Sequence, residues 1–304
     1  MDQLATSCRN MSFLDAILFG LIQGLTEFIP VSSTAHIVLL AKLLGVETPG
    51  LTFEIFLHIA SLLAVVIYFW RDLWLIIVGF LRCLLPLLRS SEGVTSLKGL
   101  LFGNLQAVNL PDTTLEDRVG FRFGILLLVA TFITGVLGIM LSDWLGDGIK
   151  ATPLVAGALL FTAICLLLVE WAQKIGDRQA QSLTWVDAVV IGLAQTVAVL
   201  PGVSRSGATL IAGLAMKLSR ETAVRFAFLL AIPVLAGTSL LGIRNIGAGD
   251  LSGIPVSALI ISFIVSFVAS VISIRWLIQL LKQQRLYWFS IYLVFLAAAT
   301  WFWL

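Results

Sequence analysis

Two apolar stretches of this chain, Phe13–Gly45 and Trp185–Leu218, are each interrupted at mid-length by a short polar segment that contains proline. The interruptions read EFIPVSSTAH, from Glu27 to His36, and PGVSRSGAT, from Pro201 to Thr209. A helix needs about 20 residues to cross a hydrocarbon core of about 30 Å, so neither half of either stretch spans alone. Two half-helices that enter and leave on one side, a re-entrant hairpin, fit this pattern. Non-helical backbone at membrane depth is tolerated only where protein or a water-filled cavity surrounds it, so the breaks belong inside the molecule. The other long apolar runs read as full spans: Phe53–Trp70, running on toward Phe80, then Phe121–Leu141, Pro153–Trp171, Arg225–Ile243, Pro255–Ile274 and Leu286–Leu304. Composition agrees, with 59% hydrophobic and 12% charged residues, against about 25% charged in a soluble domain. That balance excludes a soluble enzyme, a disordered chain and a nucleic-acid binder, and a net charge of +2 points to no polyanionic partner.

The two broken regions match each other at one constant separation. Asp15-Ala16 corresponds to Asp187-Ala188, Gly20-Leu21 to Gly192-Leu193, Gln23 to Gln195, and Val31-Ser32 to Val203-Ser204. The expected fold is therefore an all-α polytopic membrane protein, one domain over 1–304, built as a repeat of about 12–171 and about 184–304. Each half holds one re-entrant helical hairpin and three transmembrane helices. Three is odd, so the second half is inverted, and inverted repeats with broken helices place ligand sites near the midplane. With the N-terminus outside, thirteen Lys/Arg fall in cytoplasmic segments and four, Arg9, Lys42, Lys150 and Arg244, outside, as the positive-inside rule requires. Arg122 lies just past the first cytoplasmic loop, and Arg205 is left at the tip of the second break. Leu73–Leu88 would spoil the inversion as a further span, so it reads as a helix extension or an interfacial helix.

Ionisable residues at membrane depth are costly and are functional candidates by default. Here they are Glu27, His36, Arg205 and, less centrally, Glu54. Ser32, Ser33 and Thr34 in the first break and Ser204, Ser206 and Thr209 in the second sit where a half-helix restarts. Any one of these hydroxyls can be an ordinary N-cap. Together with the free N–H groups of a helix start they can also form an anion site. Arg205 adds a planar fork that suits two phosphate oxygens. Gln23 and Glu27, four apart, share one helix face. Glu27 suits a general base, a holder of a divalent cation against phosphate oxygens, or a structural partner of Arg205. His36, one turn past Ser32 and Ser33, suits a proton donor or acceptor or a nucleophile. Glu54 and His58 are also four apart and read either as lining the same cavity or as interhelical hydrogen-bond partners. Cys8, Cys83 and Cys165 form no CxxC, and two histidines cannot build a multi-histidine metal centre. The start MDQLATSCRNMS lacks the pattern of a removable signal peptide.

QGLTEFIPVSSTAH (Gln23 to His36) together with PGVSRSGAT (Pro201 to Thr209) resembles the undecaprenyl-pyrophosphate phosphatases, also called bacitracin-resistance proteins, and FEIFLHIASLLAVV (Phe53 to Val66) resembles that family's first full span. The resemblance implies a multi-pass hydrolase of the bacterial plasma (inner) membrane. Such an enzyme removes the terminal phosphate of a C55 polyprenyl diphosphate lipid, recycles the carrier for peptidoglycan synthesis and confers bacitracin resistance. It further implies a dissociable divalent cation, Mg²⁺ or Ca²⁺, an active site opening to the periplasmic side, membrane lipids around it, and a homodimer. By position it assigns catalysis to Glu27, Ser33, His36 and Arg205, with Gln23, Ser32, Thr34, Ser204, Ser206 and Thr209 binding phosphate and Glu27 as the metal residue. Gln23 stands where many members carry Glu, which weakens a two-carboxylate metal site, and the loop from Arg89 to Arg118 is longer than usual in the family. In-line displacement at the terminal phosphorus then leaves Ser33, His36 or an activated water as nucleophile. The competing reading is a secondary transporter or flippase for a phosphate-bearing lipid or anion, with Arg205 as binding site only.

Overall fold

A computed structural model describes residues 11–46, 51–89, 93–145, 152–172, 176–244, 254–282 and 286–303. Cys8, Arg9, Lys150 and Leu304, named above, and Lys174 and Arg285, two of the thirteen cations placed in cytoplasmic segments, lie outside the described residues. Among those described there are twelve α-helices and no strand: α1 Phe13–Thr26, α2 Ser33–Leu44, α3 Leu51–Tyr68, α4 Trp70–Arg89, α5 Gly93–Phe102, α6 Leu115–Leu145, α7 Thr152–Ala172, α8 Trp185–Val197, α9 Arg205–Ala215, α10 Arg220–Arg244, α11 Val256–Lys282 and α12 Tyr287–Trp303. Leu115–Trp144, Pro153–Ala172, Arg220–Ile243 and Val256–Leu281 are long and apolar enough to cross a membrane. The chain is a multi-pass, all-α membrane protein.

The expected breaks are present. The pair α1 and α2 turns back at Glu27–Ser32, and the pair α8 and α9 at Ala198–Ser204. The two hairpins also begin alike. Ser12 and Asp15 form a reciprocal capping box at the start of α1, and Thr184 and Asp187 form the same box at the start of α8. Packing repeats with the partners exchanged. Helix α1 lies on α11 as α8 lies on α6, α2 meets α12 as α9 meets α7, and α3 meets α11 as α10 meets α6, while α3 packs on α10 and α7 on α12 across the halves. Small residues make the hairpin contacts close, as membrane helix packing favours. A Cβ on Gly20 would stand 2.5 Å from the Ser262 carbonyl oxygen of α11, and one on its counterpart Gly192 would stand 2.9 Å from the Ala130 carbonyl oxygen of α6.

Two of the expected spans differ: among the described residues α12 is a shorter apolar helix of 17 residues, and the first span is bent. The apolar run from Phe53 does not continue straight toward Phe80. The chain bends by 71° between α3 and α4, and α4 lies against α6. Arg71 and Asp72 interrupt the apolar residues just past the bend, but hydropathy does not give the direction in which α4 continues. Most exposed apolar side chains of helix α4 fall on one stripe, Trp70, Trp74, Ile77, Leu81, Leu85 and Leu88, with Leu75 and Phe80 beside it, the pattern of an interfacial amphipathic helix. The segment after it is a folded element. Leu100, Leu105, Val108 and Leu110 bury against Cys83 and Phe121. Arg122 donates to the Leu100 carbonyl at 2.6 Å, and Arg118 donates to the carbonyls of Leu105 at 3.1 Å and Thr113 at 3.0 Å. Trp185 Nε1 donates to the Leu101 carbonyl at 2.9 Å, which joins this insert to the first residue of α8.

The two ends of the second hairpin, away from its break, are tied together. Arg178 donates to both oxygens of the fully buried Asp187, at 2.9 and 2.6 Å, and to the Met216 carbonyl at 2.9 Å just past α9. The start of α8 and the end of α9 thus share one guanidinium, which fixes where the second break lies in depth.

Candidate active site

Glu27 is the C-cap of α1 and is 8% exposed. An acid at a helix C-terminus, buried, is disfavoured twice over, by desolvation and by the helix dipole. The fold compensates with four donors or cations. Arg205 Nη2 donates to Oε1 at 3.0 Å. Gln23 Nε2 and Ser33 Oγ each donate to Oε2 at 2.8 Å. His58 Nε2, from α3, stands 3.6 Å from the same oxygen. Ser33 is the first residue of α2 and Arg205 the first of α9, so the positive ends of both half-helices are brought to one carboxylate. Glu27, Gln23, Ser33 and Arg205 are therefore assembled from opposite halves of the chain, with His58 added from the first full span. Glu54 lies one turn from His58, half-buried.

Arg205 has more donors than Glu27 uses. Its Nη1 is buried with no hydrogen-bond partner. A buried donor left unpaired costs about 1–3 kcal/mol, more when charged, and native structures rarely carry one without a purpose. Beside it is a cavity of about 10 Å³ lined by Glu27, Phe28, Arg205, Ser206, Thr209, Ala227, Phe228 and Ala231. That space holds about one water; a diphosphate requires the side chains to part.

The remaining hydroxyls divide by role. Ser204 is an N-cap, its Oγ accepting from the Gly207 amide at 3.1 Å. Ser206 Oγ donates to the Ile29 carbonyl at 3.1 Å and so fastens the second break to the first. Thr209 Oγ1 donates back to the Arg205 carbonyl at 3.0 Å while the residue lines the cavity. Ser32 makes no side-chain cap and adopts φ 65°, a left-handed conformation uncommon outside glycine. Its carbonyl instead accepts from His36 Nδ1 at 2.8 Å. Thr34 points outward and is exposed. His36 is buried at 8% exposure, but its Nε2 meets the Tyr292 hydroxyl at 2.5 Å rather than Glu27 or Ser33. Tyr292 was not singled out from sequence. It lies in the aromatic run YWFSIY of α12, where nothing marks one ring from the next.

The chemistry on offer is specific. Ser33 presents its O–H to a carboxylate within hydrogen-bond reach, a nucleophile with a base. Arg205 presents an unused, desolvated N–H to any oxyanion that displaces Glu27 from its fork. Among the described residues no three His, Cys, Asp or Glu gather to hold a metal ion. Both oxygens of Glu27 are already occupied, so the protein alone supplies no cation cage; a divalent cation fits only when the substrate's own phosphate oxygens complete its shell.

Residues 16–299 match the family described as bacitracin resistance protein BacA. The chain is similar to undecaprenyl-diphosphatase 2 of Halalkalibacterium halodurans, 44% identical over 296 residues that cover 96% of each chain. It is similar to undecaprenyl-diphosphatase 1 of Shouchella clausii, 39% identical over 93% of each chain, and to undecaprenyl-diphosphatase of Methanosphaera stadtmanae, 36% identical over 95% of this chain and 97% of that one.

Proposed function

The chain belongs to the bacitracin resistance protein family, and from that premise we propose that it is a membrane phosphatase that hydrolyses undecaprenyl diphosphate to undecaprenyl phosphate and inorganic phosphate. The product is the lipid carrier recycled for peptidoglycan synthesis, and consumption of the diphosphate confers bacitracin resistance. The observation that carries the chemistry is the Arg205 guanidinium, held on Glu27 by one nitrogen and left without a partner at the other. The terminal phosphate takes the place of that carboxylate on the guanidinium fork. Both nitrogens then bind phosphoryl oxygens and stabilise the charge that spreads over them in the transition state.

The geometry supports Ser33 as nucleophile over His36, because Ser33 Oγ–H is aimed at Glu27 and both ring nitrogens of His36 are engaged elsewhere. Ser33 Oγ forms a bond to the terminal phosphorus as its proton passes to Glu27 Oε2. The bridging P–O bond breaks, and the electron pair leaves with the lipid monophosphate. Water then cleaves the phosphoserine, which returns Ser33 and releases inorganic phosphate. Glu27 and the Gln23 amide beside it are the residues that would hold a divalent cation, which would supply charge neutralisation between the two phosphates. The charge bias in the loops supports an outer, periplasmic opening in the bacterial plasma membrane, since both ends of the first hairpin then face outside.

The test is phosphate release from the solubilised full chain given undecaprenyl diphosphate. Release, with phosphate trapped on Ser33 in a rapid acid quench, is expected. Release without any trapped phosphoserine replaces Ser33 with water as nucleophile. Binding of the lipid with no phosphate release overturns the hydrolase reading in favour of transport.

A further inference from the structure

His36 is the member of the site whose basic nitrogen turns away from Glu27 and Ser33. Its Nδ1 lies 2.8 Å from the Ser32 carbonyl, and a carbonyl can only accept. Nδ1 therefore carries the hydrogen, and the lone pair sits on Nε2. Tyr292 meets that lone pair. Its hydroxyl is 2.5 Å from Nε2, and the two rings lie nearly parallel, 12° apart in plane with centroids separated by 5.6 Å. So the hydroxyl donates to Nε2 while the ring fixes the plane of the imidazole. The backbone serves the same arrangement, because it is Ser32, at left-handed φ, whose carbonyl faces the ring of the residue one turn on. Other aromatic residues of α12, Trp288, Phe295, Trp301 and Phe302, are also exposed, so an outward ring on this helix is ordinary. A hydroxyl directed at the only lone pair of a buried imidazole is not.

We propose that Tyr292 is a positioning residue for phosphate transfer, holding His36 neutral as the Nδ1–H tautomer and keeping its lone pair off the Ser33–Glu27 pair. Glu27 is the base in contact with the Ser33 hydroxyl, His58 stands beside it, and His36 follows Ser33 by one turn of α2. An imidazole free to turn would compete with Glu27 for the Ser33 proton, or form an ion pair with the carboxylate that Arg205 must release. Tyr292, donating from the opposite end of the chain, turns His36 toward α12 and leaves Glu27 to Arg205, Gln23 and Ser33, with His58 beside it. Tyr292 is itself 44% exposed, so the buried imidazole is joined through it to the outer side of α12. This inference rests on the phosphatase reading, with His36 in its site.

The experiment uses the full chain labelled with ¹⁵N-histidine. Two histidines give two imidazoles, and loss of one signal in His58→Asn assigns them. In the wild type, His36 is expected as the Nδ1–H tautomer, and in Tyr292→Phe, which keeps the ring and removes the hydroxyl, its signals should move toward an average of both tautomers. With undecaprenyl diphosphate, kcat of that variant should fall about tenfold while KM changes less than about twofold. An Nε2–H tautomer in the wild type, unchanged kcat in the variant, or a loss confined to KM each overturns the proposal. Should Tyr292→Phe fold poorly, the wild-type tautomer alone still decides. A wild-type protein that releases no phosphate sinks the phosphatase reading instead, whatever the imidazole shows.

Discussion

The two breaks occupy equivalent places in equivalent hairpins, yet their side chains are complementary rather than alike. Where the first break has Glu27, Ser33 and His36, the second has Val199, Arg205 and Ala208 at the matching positions. The first supplies an acid, a hydroxyl and an imidazole; the second supplies one cation and a set of hydroxyls used to hold backbone. The backbones differ too. The left-handed residue of the first break is Ser32, and that of the second is Gly202, whose counterpart is Pro30. Repetition thus builds the scaffold, two half-helix starts facing one point, and divergence divides the chemistry between them. Neither hairpin is a site alone.

The strongest way to break this division is at the cation. Arg205→Ala should lower kcat by about 10³-fold or more, as for loss of a principal oxyanion donor. Phosphate release near the wild-type rate would remove the clamp from the mechanism. Exchanging the charges, Glu27→Arg with Arg205→Glu, sharpens the point. The double variant should regain much of the thermal stability lost by either single change and none of the turnover, because a guanidinium beside Ser33 cannot accept its proton; regained turnover would mean that the pair acts only as a structural ion pair.

Next is the tie that sets the second hairpin in depth. Arg178→Ala leaves the buried Asp187 without a counter-charge, held by the Thr184 capping box alone, and should cost about 3 kcal/mol of stability, read as a fall in the unfolding midpoint. An unchanged midpoint would show that the capping box alone holds α8. The cation reading bears on the first break: chelation with EDTA should lower phosphate release and Mg²⁺ should restore it, while Glu27→Gln, which removes the base, should stay inactive at any Mg²⁺ concentration; wild-type activity indifferent to EDTA and Mg²⁺ would leave Glu27 as base only. The smallest effect is local. Ser32→Gly should relieve left-handed strain of about 1 kcal/mol, seen as a modest rise in the unfolding midpoint. A fall would mean that Ser32 Oγ supports the break in a way its lack of a capping bond does not suggest.

The hairpins and the meeting of the two breaks, with Glu27 as one possible partner of Arg205, were legible in the sequence because polar residues inside apolar runs have few places to go. Their partners had to be each other. What was not legible depended on direction rather than type. Thr34 follows Ser33 in the same turn, yet the left-handed φ at Ser32 sets α2 so that Ser33 faces Glu27 and Thr34 faces out. The bend after Tyr68 comes two residues before Arg71 and Asp72, which mark the end of an apolar run but do not say in which direction the next helix goes. Tyr292 carries one hydroxyl in a helix of exposed aromatics, and only the rotation of α12 against α2 gives that hydroxyl a partner. Ser204 illustrates the reverse case: the ordinary N-cap reading of a hydroxyl fits its geometry, while Ser33, an equally plain serine in sequence, is drawn to a carboxylate.

The close approach of α1 to α11 has a consequence for how the molecule is made. Gly20 lies so near the Ser262 carbonyl that no side chain fits between them, and Ser273, further along α11, donates to the Leu25 carbonyl at 2.8 Å. The first hairpin emerges early in synthesis, and the wall it rests on comes almost last. Until α11 is inserted, the first break has no protein behind it, although Arg205 on α9 has already emerged, so the nascent chain should hydrolyse nothing. Activity begins only when translation is nearly complete, and any truncation upstream of α11 should yield a membrane-bound but inert protein.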